Sequence, residues 1–224
     1  MIVLGITGSI GMGKSTIGAM LAHLGVPVHE SDHVVRDMLQ YGSPAWFAIA
    51  AQFPYFAYPQ IYGKTHFLNP FKESKRYLKR DVLGALVFKN ENERKKLESV
   101  LHPYVRKAQN EFIKKHRAMG KDIVALDIPL LFETGADKRV DYTMVVTAPA
   151  FLQARRVLSR PKMTPEKLEG ILQSQMPDGE KVARADFVIH SGLGRAYTMK
   201  ELKKVLVALR ADKKQEQVKK EHHG

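Results

Sequence analysis

Ile2 to Ile6 is an unbroken apolar run, and beyond a glycine-rich break Ile17, Met20, Leu21 and Leu24 recur at i, i+3, i+4 and i+7. The run reads as a short buried strand and the recurrence as one face of a helix, with Gly25 placed to end it. "VPV" at 26–28 begins a second strand, and "ESDHVVRDML" turns back into helix. The opening is therefore strand, glycine loop, helix, strand, which is one right-handed βαβ unit of a parallel sheet.

The pattern then changes. Residues 41–72 carry ten of the nineteen aromatic side chains, interleaved with Pro44, Pro54, Pro59 and Pro70, and regular periodicity is lost between Phe53 and Phe71. This reads as an irregular excursion packed by its own rings. From Lys72 to Arg117 the pattern is helical again, and Pro103 in "LHPYV" suits the first turn of a new helix.

Further along, "DIVALDIPLLFE" predicts a buried strand running to Asp127, and "DYTMVVTAP" another closed by Pro149. A helix follows over about 151–159, and a second opens with Thr164 as N-cap and Pro165 at its first position. "ADFVIH" is a last short strand, and Met199 to Leu209 a last amphipathic helix. Alternating strands and helices, with each strand a mostly continuous apolar run, predict an α/β fold whose parallel sheet is covered on both faces.

Charge alters this picture. Lysine plus arginine exceed aspartate plus glutamate by 36 to 23, giving +13. Such a balance favours polyanions, either nucleic acid or phosphorylated small molecules. Part of it sits in the last residues, where "RADKKQEQVKKEHHG" has too little apolar content to fold alone and reads as a frayed, solvated extension. With no cysteine there is neither a disulfide nor a thiolate metal site, which fits a reducing compartment. No apolar run approaches the roughly 20 residues that span a bilayer, and "MIVLGITG" has no basic leader, so the expectation is a cytoplasmic protein.

The chemistry begins at "GITGSIGMGKST", residues 5–16. Gly8, Gly13, Lys14 and Ser15 satisfy G-x-x-x-x-G-K-[ST], after a predicted strand and at the opening of a predicted helix. Glycines let successive N–H groups turn inward and the helix adds its positive end, so the loop is an anion cradle for a nucleoside triphosphate. Lys14 can reach the β- and γ-phosphates, and the Ser15 hydroxyl can ligate Mg²⁺. Asp32 lies just past the second strand, where a carboxylate can take the proton from an attacking hydroxyl or can simply cap the next helix. Asp127, at a strand end, is in the usual place for a carboxylate that holds Mg²⁺ through water. Arg156 and Arg160 are four apart and share a face, so both can close onto the triphosphate.

Together these stretches resemble the dephospho-CoA kinase family. "GITGSIGMGKST", "LGVPV" followed by "SDHVVR", "LKRDVLGALVF", "LHPYV", "DIPLLFE" and "SQMPDGEKVARADFVI" run in family order from Gly5 to about Ile189. The resemblance implies a P-loop NTPase-type sheet flanked by helices, with a small helical acceptor-binding lobe and a lid. It implies one domain over 1–211, with its core at about 1–40 and 120–211, the lobe at about 41–119 and the lid at about 151–175. Residues 212–224 would be a basic, disordered tail. The implied reaction is transfer of the γ-phosphoryl of ATP to the ribose 3′-hydroxyl of dephospho-CoA, with Mg²⁺ and without membrane or nucleic acid.

In this reading Asp32 and Lys14 are catalytic. ATP is bound by Gly8, Gly11, Met12, Gly13, Lys14, Ser15, Thr16, Arg156 and Arg160, and the acceptor by Arg36, Arg80, His102 and Arg106; Ser15 and Asp127 serve the metal. The chain departs from the family pattern at Glu30, where aspartate is usual, at Arg160-Pro161 in the lid, and after "ADFVI", where "HSG" replaces the common asparagine. Two other readings stay open on the residues alone: a different P-loop small-molecule kinase, and a nucleic-acid-associated NTPase suggested by the basic charge.

Overall fold

The computed structural model describes residues 1–64 and 76–221. Five strands form the main sheet: β1 (Ile2–Thr7), β2 (Val28–Glu30), β5 (Ile123–Asp127), β6 (Tyr142–Thr147) and β7 (Phe187–His190). Their order is β2-β5-β1-β6-β7 and every pair is parallel. All six residues of β1 are buried, as a central strand covered on both faces requires. The chain leaves β1 for β2 on one side of the sheet and leaves β6 for β7 on the other. The switch point, where ligands of open α/β sheets collect, thus falls between β1 and β6.

Two compact units divide the chain, one built from Met1–Glu30 and Phe112–Gly224, the other from Ser31–Glu111. In the first, α1 (Lys14–His23) buries Ile17, Met20 and Leu21 against Leu4, Ile6 and Met144 of the sheet. The helix closes as its sequence predicts: Gly25 N–H donates to the Ala22 carbonyl and Val26 N–H to the Leu21 carbonyl. The other face carries Val3, Val124, Leu126 and Leu131, packed with Phe112 and Ile113. The last helix, α9 (Arg195–Glu221), contributes Leu202, Val205, Leu206 and Leu209 to the first cluster. Its backbone continues well past Leu209, which corrects the expectation of a frayed extension up to Glu221. The added stretch is Lys-, Gln- and Glu-rich without Gly or Pro, and such residues lose little on entering a helix.

The second unit contains α2 (Ser31–Met38), α3 (Pro44–Gln52), the antiparallel pair β3 (Tyr62–Lys64) and β4 (Arg76–Leu78), α4 (Arg80–Lys89) and most of α5 (Glu91–Ala118). Its core is Trp46, Ile49, Phe53, Ile61, Leu78, Leu83 and Leu101. Of the described rings in the aromatic segment, Trp46, Phe53 and Tyr62 are buried while Tyr41, Phe47, Tyr55 and Phe56 are exposed. Only part of it is therefore packed by its own rings, as where Phe53 and Tyr58 meet edge to face at 5.2 Å. The prolines of this stretch hide α3 from a search for helical periodicity. Pro44 stands at the first helical position, where a missing N–H costs nothing, and the Ser43 side chain caps the helix by accepting from Trp46 N at 2.9 Å.

Three other boundaries differ from expectation. Arg76–Leu78 is a strand inside the stretch read as helical, since Tyr62, Gly63 and Lys64 offer it a ladder; residues 65–75 lie outside those described. Pro103 lies inside α5 rather than opening a new helix; it removes one i→i−4 bond from a helix of 28 residues. Finally, α2 belongs to the second unit and not to the core, because Val35, Met38 and Leu39 pack against the Trp46 cluster. No helix among the described residues is long and apolar enough to cross a membrane.

Candidate active site

The glycine loop joins β1 to α1 at the switch point. A Cβ on Gly8 would meet the Val146 carbonyl oxygen of β6 at 2.4 Å, so only glycine lets the loop lie this close to the neighbouring strand. Gly13 takes φ +95, the left-handed conformation that turns the chain into α1 as its N-cap. Thr16 and Ile17 N–H already donate to the Gly13 carbonyl, at 3.0 and 3.2 Å. The earlier amides of the turn, with the positive end of α1, suit the anion that the motif predicts. Met12 is buried, and its Sδ accepts from Ala148 N at 3.2 Å, which anchors the middle of the loop.

Side chains from later in the chain fix the loop further. Ile10 is held on both peptide groups: its N–H donates to Gln175 Oε1 at 3.2 Å and its carbonyl accepts from Gln153 Nε2 at 2.8 Å. Gln153 and Arg156 lie on α6 (Ala150–Leu158). Arg156 donates to the Gly11 carbonyl at 3.3 Å and to Ser191 Oγ and the Ser191 carbonyl at 3.0 Å each. The Ser191 hydroxyl in turn donates to the Met12 carbonyl at 2.6 Å. A cleft of about 690 Å³ opens beside this clasp, lined among others by Ser15, Thr16, Arg156, Arg160, Ser191 and Arg195. That volume suits a nucleotide-sized ligand, and three guanidinium groups on its wall suit an anionic one.

Sequence reasoning had placed Arg156 and Arg160 on the ligand side, and both line this cleft. It missed Ser191, Gly192, Arg195 and Thr198, which line the same cleft from β7's end into α9. The available signal was "HSGLGR", a glycine-rich turn between a strand and a helix, the same local grammar as the first loop.

At the carboxyl edge of the sheet Asp127 is in register with both Ile6 and Glu30. Lys14 Nζ stands 3.9 Å from Asp127 Oδ1, with both side chains mostly buried. No group of three acidic or histidine side chains suited to a metal occurs among the described residues. The hydroxyl of Ser15 and the carboxylate of Asp127 are hard oxygen donors, and one or two of these fit Mg²⁺, which takes its remaining ligands from water and phosphate.

The remaining predicted residues all fall in the second unit. Asp32 lies in the first turn of α2 and Arg36 in its last, four positions apart, and both are exposed. Arg80 opens α4, and His102 and Arg106 are again four apart on α5. The residues expected on the nucleotide side and those expected on the acceptor side thus belong to separate units, and Asp32 is the second residue beyond β2.

Known proteins resemble this chain along most of its length. A family model described as dephospho-CoA kinase matches residues 2–194. The dephospho-CoA kinase of Mesorhizobium japonicum is 43% identical over 213 residues, covering 95% of this chain and 99% of that protein. That of Paramagnetospirillum magneticum is 46% identical over 80% of this chain and 77% of its own. Among solved structures, TT1252 from Thermus thermophilus superposes with a TM-score of 0.75 at 31% identity, covering 92% and 96% of the two chains. The dephospho-CoA kinase of Campylobacter jejuni gives 0.60 at 27% over 91% and 94%. With the phosphate loop, the sheet order and the family match along most of its length in agreement, the chain belongs to the dephospho-CoA kinase family.

Proposed function

We propose that this protein transfers the γ-phosphoryl group of ATP to the ribose 3′-hydroxyl of dephospho-CoA. The observation that carries the reading is 43% identity to a dephospho-CoA kinase across 95% of the chain, with a formed phosphate loop at its start. The amides of the loop and of the first turn of α1 hold the phosphate tail, and Lys14 supports the charge of the group in transfer. Arg160, on the cleft wall, adds positive charge where the triphosphate lies, while Arg156 spends its donors on keeping the loop and Ser191 together. Mg²⁺, held through Ser15 and Asp127, would neutralise charge between the phosphates when bound.

Asp32 takes the proton of the attacking alcohol, and Arg36, Arg80, His102 and Arg106 bind the acceptor's phosphates. The lid at about 151–175 closes over ATP and keeps water from competing with the alcohol. A net charge of +13 gathers two polyanionic substrates, and a chain without cysteine fits a cytoplasmic enzyme. The test is a panel of acceptors with ATP and Mg²⁺, read by mass spectrometry of the products. Phosphorylation of dephospho-CoA in preference to nucleosides, nucleotides and pantothenate is expected. Turnover of a nucleotide with none of dephospho-CoA would overturn the proposal, as would ATP hydrolysis that depends on added DNA or RNA.

A further inference from the structure

Lys181, on α8 (Asp178–Arg184), is completely inaccessible to solvent, and it is the one lysine or arginine buried among the described residues. No step assigned above uses it. Its Nζ pairs with Glu133 Oε1 at 3.0 Å and donates to Ser9 Oγ at 3.5 Å. Glu133, which follows β5, also accepts from Met176 N at 2.9 Å, so its carboxylate is fixed from two directions. One ammonium therefore ties together the segment after β5, the helix α8 and the phosphate loop. Two residues on the same later segment reach adjacent positions of that loop: Lys181 touches Ser9, and Gln175 takes the N–H of Ile10.

Burying a charge is unfavourable unless its partners are well placed, and a buried ion pair often adds no stability over an apolar pair of similar volume. A pair of this kind specifies geometry instead, and the geometry here is that of Ser9, one residue beyond Gly8. We propose that Lys181 is a positioning residue for nucleotide binding: fixed by Glu133, its ammonium sets Ser9 and so holds the phosphate loop in the conformation that receives the phosphate tail. The proposal rests on the reading of this loop as the ATP site and on nothing about the acceptor.

The test uses the full chain and three variants: Lys181→Met, which keeps volume and removes charge, Ser9→Ala, and the two combined. The probe is ADP, titrated calorimetrically, because ADP engages the loop without any acceptor. Lys181→Met is expected to raise the ADP Kd and the KM for ATP by about tenfold, the scale of one lost hydrogen bond to a charged group. The KM for dephospho-CoA should stay within about twofold. The double variant should bind ADP no worse than Lys181→Met alone, because both changes break one connection.

A purely structural role would lower the melting temperature of Lys181→Met and leave the ADP Kd unchanged, and that result overturns the proposal. Should Lys181→Met fail to fold, Ser9→Ala decides: a raised ADP Kd supports the proposal and an unchanged one overturns it. A wild-type protein that binds ADP yet does not phosphorylate dephospho-CoA defeats the functional reading and leaves this inference standing.

Discussion

Arg156 grips Ser191 twice, once through the hydroxyl and once through the main-chain carbonyl, and both hydrogen bonds are 3.0 Å. With its third contact, to the Gly11 carbonyl, the guanidinium closes a ring between the phosphate loop and the turn after β7. A lysine ammonium at the same place has no planar fork and cannot span the three oxygens. Arg156→Lys should therefore raise the KM for ATP by about tenfold or more, although charge is conserved. Ser191→Ala removes one of the two grips together with the bond to the Met12 carbonyl, and should cost roughly 1 kcal/mol of stability. Steady-state kinetics and urea unfolding measure the two effects. Full rescue by lysine would show that the fork is not what matters.

Gly8 gives a sharper prediction, because what a Cβ would strike there is main chain. The Val146 carbonyl oxygen belongs to a hydrogen-bonded central strand and cannot move aside as a flexible side chain would. Gly8→Ala must push the loop away from β6. The expected result is a loss of about 2 kcal/mol or more in stability and an ADP Kd raised by more than tenfold. An alanine variant that binds ADP like the wild type would mean that the loop shifts without cost.

How much of this could be read beforehand follows from the range of the interactions involved. The phosphate loop, α1 and the strand ending at Asp127 were legible because contiguous residues specify them: glycine spacing, 3.6-residue periodicity and an apolar run. Thr164 and Pro165 opened α7 (Pro165–Gln173) as their local chemistry predicts, with Thr164 Oγ1 accepting from Lys167 N. What stayed hidden is encoded at a distance. Ser191 meets Met12 from 179 positions away and Lys181 meets Ser9 from 172, and nothing local in "HSG" or "GEK" announces either partner. The unit boundary was misjudged for a related reason. The apolar side of α2 suits either core equally well, and only the Trp46 cluster decides where Val35 and Met38 go.

The roles proposed for Asp32 and Asp127 separate in one experiment. Asp32→Asn keeps the size of the side chain but cannot accept a proton from the alcohol. Turnover should fall by about 10² or more, while ADP affinity stays within about twofold. Asp127→Asn weakens the proposed metal ligand and the partner of Lys14, so its loss should be partly recovered by raising Mg²⁺. Single-turnover kinetics over a Mg²⁺ series distinguishes the two. An Asp32→Asn enzyme with normal turnover would remove Asp32 from proton transfer and leave Asp127 as the first alternative.

Acid should weaken the sheet through His29. This residue of β2 is buried and stacks edge-on against Phe112 at 5.2 Å, and its Nδ1 has no hydrogen-bond partner among the described residues. Burial, only partly opposed by a backbone hydrogen bond, holds its pKa below the ordinary value of 6.5. The native state therefore keeps the ring neutral where the unfolded chain has begun to protonate it. Between 6.5 and the lower native value the unfolded state binds more protons, so stability must fall as pH falls through that window, and it is fully present above it. His29→Leu fills the same apolar site and cannot titrate. Unfolding free energies from urea titrations at several pH values between 5 and 8 should show the wild type losing ground to the leucine variant below pH 6.5. Parallel curves for the two proteins would mean that His29 keeps its ordinary pKa in the folded state.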